Sequence, residues 1–478
     1  MTTPIAPVVA TSAPRSTRRW AALVVLALAQ FLVILDASIV NIALPVIGRD
    51  LGLDSTALAF VITAYVLPFA GLLLFGGRLA DRFGHRRLFL VGVTGFVLAS
   101  AVAGFAVSGG MLLGARAAQG ASAALLAPAA LALLTQLFPT AGDRAKALGI
   151  WGGVAGIGSV AGVLLGGVLT ATLGWSSVFF VNVPIGVAVL VLIPVLVTKD
   201  LAGTKAKLDL PGAATITGAL VAAVAALGSF ERFGIASPLG IGLLAVAIAL
   251  GVAFVIIERR TAEPLVPFTI FRNRNLTTGN IVVAVVGAAI IALFFALSVY
   301  MQSVLGFDAL TAGLTQLPLA GALVMVAGLV PTVITRLGER RTLAGSLVVF
   351  AAGLLWLAAA PADAGFVQHL LGPTLLIGVG VGGALVAATQ LAVDGVAESE
   401  AGLASGIVNT SQQVGGALGF SILASIAAAR TSALESAGGA APVALTSGFS
   451  WLFIGAAVLV LAGAAVALVS GRGEKAAA

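Results

Sequence analysis

Apolar residues in this chain come in unbroken runs of twenty or more, and this limits the possible folds more than any other feature. About 20 residues of α-helix reach roughly 30 Å, the hydrocarbon thickness of a bilayer. Strands of an outer-membrane barrel would instead alternate apolar and polar residues over segments of about ten. The fold class expected is therefore an all-α polytopic membrane protein. Composition agrees: 60% of the 478 residues are hydrophobic and the mean hydropathy is +1.15. The first fourteen residues precede Arg15, Arg18, Arg19 and an apolar run too long for a signal-peptide core, so that run reads as a retained first helix.

Fourteen spans are expected, near residues 21–44, 57–77, 88–108, 111–137, 147–171, 178–198, 211–230, 238–257, 277–300, 311–335, 343–361, 366–393, 402–429 and 447–470. Basic residues alternate with them. One side carries Arg15, Arg18 and Arg19, Arg78, Arg82, Arg86 and Arg87, Arg144 and Lys146, Lys199, Lys205 and Lys207, Arg259, Arg260, Arg272 and Arg274, Arg336, Arg340 and Arg341, and Arg472 and Lys475. The other side carries only Arg49, Arg232 and Arg430. By the positive-inside rule both termini are cytoplasmic. The same topology accounts for the net charge of +7, and no soluble basic face exists to bind nucleic acid.

The chain repeats itself. Leu-Pro-Phe-Ala-Gly at Leu67–Gly71 returns as Leu-Pro-Leu-Ala-Gly at Leu317–Gly321, and each copy leads into an arginine-rich turn. Two six-helix bundles follow, at 20–199 and 277–471, with a 200–276 connection holding two extra spans, a disordered 1–19 and a tail at 472–478. Duplicated halves around a midplane site are the architecture of secondary transporters.

Two ionisable residues lie well inside spans, where each costs at least about 2.5–3.5 kcal/mol. Asp36 is about sixteen residues, or roughly 24 Å, along an outward-going helix, and Arg116 about six residues, or roughly 9 Å, into an inward-going one. Both fall in the outer half and can meet. Arginine does not titrate in practice, so a proton carrier among them has to be Asp36, with Arg116 responding to its protonation. The alternative is a fixed ion pair between the first and fourth spans. Glu398 and Glu400 are candidate partners for the arginines around Arg82.

An apolar cavity lined by aromatic rings and amides suits amphipathic compounds. Candidate lining residues are Gln30, Tyr65, Phe294, Phe295, Gln316, Asn409 and Gln413, with Asn41, Asn182, Tyr300 and Gln390 also polar within spans. The second half carries no acid in a span before Asp394, which points to neutral, anionic or monocationic cargo. No Gly-x-x-x-x-Gly-Lys-Ser/Thr loop is present, so ATP is not the direct energy source. Gly378–Gly383 lies inside a span and reads as helix packing. The chain has no cysteine, and His85 and His369 fall on opposite faces with no HExxH or GxSxG, which argues against a membrane-embedded enzyme. A channel fits less well, since channel selectivity commonly comes from repeated subunit rings.

The turn Gly77-x-Leu79-x-Asp81-Arg82-x-Gly84-x-Arg86-Arg87 resembles the loop motif of the major facilitator superfamily. Leu35–Gly52, Arg116-x-x-Gln119-Gly120 and Val181–Gly186 are similar to motifs of its 14-span drug/proton antiporter branch, the EmrB/QacA type. The resemblance implies alternating access, proton-coupled export of small drugs or metabolites, multidrug efflux and antibiotic resistance, no cofactor beyond the proton gradient, a monomer, and a cytoplasmic loop acting as a latch. It also assigns Asp36 and Arg116 to proton coupling. One departure stands out: the fifth-span motif Gly-Pro-x-x-Gly-Gly reads Gly162-Val163-x-x-Gly166-Gly167 here, so packing competes with the family's helix bend as the role of these glycines.

Overall fold

A computed structural model describes residues 16–197, 209–233, 236–261, 264–394, 396 and 401–470. Glu398 and Glu400 lie outside the described residues, so their suggested pairing with the arginines has no structural account. The apolar runs form α1 (Ser16–Leu51), α2 (Ser55–Phe83), α3 (His85–Gly104), α4 (Gly109–Leu137) and α5 (Ala141–Leu173). A short α6 (Ser177–Phe180) leads into α7 (Asn182–Leu196), so the sixth expected span is broken at Val181. The connection holds α8 (Leu210–Phe233) and α9 (Pro238–Arg260). The second half comprises α10 (Arg274–Val299), α11 (Ala309–Leu337), α12 (Glu339–Ala358), α13 (Leu371–Val393), α14 (Ala401–Ser436) and α15 (Ala441–Val469).

Among the described residues thirteen helices are long and apolar enough to cross a membrane, and Ile157–Leu173 of α5 adds a shorter apolar stretch. Their starts are set by short polar side chains that accept from first-turn N–H groups: Asp54 from Ala57, Ser108 from Met111 and Asp308 from Thr311. The Thr311 hydroxyl and backbone hold the Asp308 carboxyl below its ordinary range.

The duplication suggested by the two Leu-Pro-x-Ala-Gly copies is visible in the packing. Within the first half α2 and α3 lie on α4, α1 on α5, and α3 on α7; within the second, α11 and α12 lie on α13, α10 on α14, and α12 on α15. The turns correspond as well. Gly84 joins α2 to α3 at φ 96° and Gly338 joins α11 to α12 at φ 80°, backbone geometry that favours glycine. Between halves, α5 meets α11 and α2 meets α14, the same pair exchanged by the pseudo-two-fold relation.

Helices α8 and α9 pack on each other, and α8 covers the seam where α2 and α14 meet. On the face opposite the arginine-rich turns, the halves are tied directly. Ser298 Oγ donates to the Asn41 carbonyl at 2.6 Å, and Gln302 Nε2 to the Ile42 carbonyl at 2.9 Å. Small residues permit the closest approaches: a side chain on Gly120 would strike the backbone carbonyl of Tyr65, so α2 and α4 cross backbone to backbone. Gly120→Val is therefore expected to cost about 1–3 kcal/mol. Gly114→Val, with open space around it, serves as the control expected to leave the melting temperature of the detergent-solubilised protein nearly unchanged.

Candidate functional site

Asp36 lies on α1 inside the first half, fully buried. Four other helices supply its surroundings. Arg116 on α4 donates from Nη1 to Asp36 Oδ2 at 2.5 Å and from the same nitrogen to Gln119 Oε1 at 3.0 Å. Its Nε reaches the Val61 carbonyl on α2 at 3.3 Å, and its guanidinium sits 4.4 Å from the centre of the Tyr65 ring. The other carboxylate oxygen, Asp36 Oδ1, accepts from Gln119 Nε2 at 2.9 Å and from Asn182 Nδ2 at 2.7 Å. Ser100 on α3 accepts from Gln119 at 2.8 Å.

Arg116, Gln119, Ser100 and Asn182 are buried too, so the network is closed to solvent. A lone carboxylate at this depth would be prohibitively costly; three N–H donors, one of them the cationic Arg116, compensate it. The set complements an ionised carboxylate, and adding a proton to Asp36 forces at least one donor to withdraw. Two acceptor or hydroxyl groups beside the network, Asn182 Oδ1 and Tyr65 Oη, have no hydrogen-bond partner. They are the nearest places for a displaced donor to rebond.

The local sequence explains the convergence. Arg116 and Gln119 are three apart on α4 and share one face. The break at Val181 makes Asn182 the first residue of α7, where its amide can turn inward.

Of the expected site residues, Asp36, Arg116, Gln119, Gly120 and Tyr65 come together. Tyr65, a candidate cavity residue, lies under the Arg116 guanidinium. The sequence does not single out Ser100, and it marks Asn182 only through its motif and as a polar residue within a span; serine and asparagine within spans commonly bond their own helix or a neighbour, so sequence alone gives them little weight. Gln30, Phe294, Phe295, Gln316, Asn409 and Gln413 do not join the network. Phe295 packs edge-on against Phe420 at 5.1 Å, Gln316 is buried and donates to its own helix at Ala312, and Asn409 is exposed.

The fifth-span glycines act as packing surfaces. Gly162 faces Ser38 and Gly166 the Ile39 carbonyl on α1, while Gly167 faces the Ala309 carbonyl on α11. In the arginine-rich turn, Asp81 Oδ1 meets His85 Nε2 at 3.1 Å, and Arg86 donates to the Pro194 carbonyl at 3.2 Å. Arg82 lies over the Phe83 ring, Arg87 is exposed, and Gly77 faces Pro128.

Two pseudo-symmetric helical halves, spanning a bilayer and carrying a compensated buried carboxylate in one of them, define a membrane protein of the secondary-transporter class. Residues 26–420 and 333–476 each match the Major Facilitator Superfamily, and the chain belongs to it. It is 41% identical over 434 residues to the puromycin resistance protein pur8 of Streptomyces alboniger, covering 90% of this chain and 86% of that one. It is 39% identical over 455 residues to the cephamycin export protein CmcT of Amycolatopsis lactamdurans, covering 92% and 90%. Among solved structures, a bacterial homologue of the lysosomal transporter Spinster shares the fold at a TM-score of 0.67 and 16% identity, covering 96% of this chain and 98% of that one.

If the Asp36–Arg116 contact is a compensated pair, removing only the cation strands a buried charge. Arg116→Met is expected to destabilise by about 3–5 kcal/mol, and adding Asp36→Asn to recover most of the loss. Melting temperatures of the single and double variants measure both effects; no recovery in the double variant means the two residues are not energetically coupled.

Proposed function

We propose that this efflux transporter of the major facilitator superfamily expels small hydrophobic or amphipathic compounds from the cell in exchange for protons. The observation that carries the reading is Asp36, a carboxylate buried within one half and held by three donors on two other helices. Protonation weakens the grip of Arg116 and frees a donor, which loosens α1 against α4 and α7. Loss of the proton restores the full set. A coupled carrier needs such a switch between two packings, because a ligand shifts a conformational equilibrium only through unequal affinity for its states.

The basic residues on the side of the α2–α3 turn support an arrangement with both termini cytoplasmic in a bacterial inner membrane. The halves are then closed on the outer side, where Ser298 and Gln302 bond α1. The cargo reading rests on an apolar interior with few acids, and the energy source on the proton gradient with no cofactor. The protein acts as a monomer, and the arginine-rich turn with Asp81 serves as the latch between states.

A second reading keeps the mechanism but narrows the cargo to one antibiotic or metabolite. The relatives favour it by their names: puromycin resistance, cephamycin export, tetracenomycin C resistance and export, and lincomycin resistance. The name of the Mycobacterium tuberculosis multidrug resistance protein Stp, 34% identical over 417 residues, favours the broad profile.

Expression in a pump-deficient bacterial host decides between them. Multidrug export predicts several-fold rises in the inhibitory concentration of unrelated compounds, among them puromycin and lincomycin; a rise for one compound alone supports the dedicated exporter. In either case Asp36→Asn is expected to abolish the rise at equal expression, and an unchanged rise contradicts the role given to Asp36.

A further inference from the structure

The two inserted helices carry a second buried acid site at the opposite end of the molecule from Asp36. Asp209, immediately before α8, and Glu258, in the last turn of α9, are both more than nine-tenths buried. Each uses one oxygen on backbone. Asp209 Oδ1 accepts from the Gly212 N–H at 2.7 Å, and Glu258 Oε2 accepts from the Val266 N–H at 2.9 Å.

The remaining oxygens, Asp209 Oδ2 and Glu258 Oε1, are buried and accept from no donor. They converge on one point, since a side-chain carbon on Gly212 would strike both. No cation pairs with them among the described residues. Arg259 and Arg260 on α9 and Arg272 beyond the connection are exposed. Arg78 on α2 spends its guanidinium on the Pro264 carbonyl at 2.7 Å, and α8 has no other charged residue before Glu231 and Arg232 at its far end. Two facing carboxylates with no cation beside them among the described residues repel each other, and sharing one proton relieves that repulsion.

What the pair holds is the connection into the second half. Val266 takes the Glu258 oxygen, Pro264 is bound by Arg78 of the first half, and Val266, Ile270 and Phe271 pack on Leu276, Ala404 and Ile407 of the second. We propose that Asp209 and Glu258 form a proton-binding site distinct from Asp36, whose single shared proton clips segment 264–271 across the arginine-rich face and so ties the halves together there. Loss of that proton to water leaves two adjacent carboxylates. Their repulsion drives Glu258 off Val266 and frees the segment.

The absence of native cysteine allows a direct test. Leu265 is buried in the clipped segment, so Leu265→Cys reacts with a maleimide only when the segment lifts. Labelling is compared in the otherwise native protein and with Glu258→Gln, whose amide can donate to Asp209 without titrating; the ratio of rates cancels the thiol's own titration. The ratio is expected near one at acidic pH and several-fold higher at alkaline pH, as the shared proton is lost. A flat ratio overturns the proposal.

Should Glu258→Gln fail to fold, Asp209→Asn replaces it with the same expectation. Independently, the infrared band of a protonated carboxyl should be present in the native protein at neutral pH and weaker in either variant; an unchanged band contradicts a shared proton. Neither readout depends on transport, and both are expected to be the same in an Asp36→Asn background. Failure of the coupling role of Asp36 and failure of this site are therefore told apart.

Discussion

The structure depends on keeping one carboxylate, Asp36, in a place where an uncompensated charge cannot stay. Arg116, Gln119 and Asn182 are drawn inward by it, and each comes from a helix that must then hold its register against α1. A buried ion pair is rarely a net source of stability compared with apolar packing. Its presence inside a largely apolar bundle therefore calls for a reason other than folding, and the proposed proton coupling offers one. The Tyr65 ring lies over Arg116, and the Asn182 amide oxygen in the same network has no hydrogen-bond partner.

Around that network the bundle is organised by duplication. The exchange of α5 with α14 and of α2 with α11 means that movement at one inter-half contact has a counterpart at the other. Without a hydrophobic drive between helices in lipid, the fit is made by small residues, and Gly120, Gly162, Gly166 and Gly167 bring backbones into direct contact. The missing proline in the fifth span fits this picture: α5 runs from Ala141 to Leu173 as one helix, its glycines occupied by α1 and α11. The inserted pair α8 and α9 lies outside the duplicated frame, against the α2–α14 seam, and contributes acids of its own at the arginine-rich face.

Most of the fold was legible because the bilayer imposes a length on every span, and runs such as 21–44 and 238–257 have few competing readings. The meeting of Asp36 and Arg116 was legible from helical rise alone, since depth along two antiparallel helices is a one-dimensional calculation. What sequence could not supply was rotation about each helix axis. Rotation is what sets Tyr65 against Arg116 and Phe295 against Phe420. Ser100 carries no distinguishing signal, Asn182 is marked only by its motif and its polarity, and the interruption at Val181 lies in a run that hydropathy reads as continuous. The Asp209–Glu258 pair was hidden for another reason: the two acids sit in separate polar segments 49 positions apart, each of which reads as ordinary connection.

The measurement that tests the central claim most directly is proton release from acidified everted membrane vesicles on addition of a transported compound, with native protein and with Asp36→Asn. The account predicts a compound-dependent collapse of the pH gradient in native vesicles and none in the variant. Compound movement without any response of the gradient, or a variant that dissipates it as the native protein does, would make Asp36 a structural ion and the protein a carrier coupled in some other way.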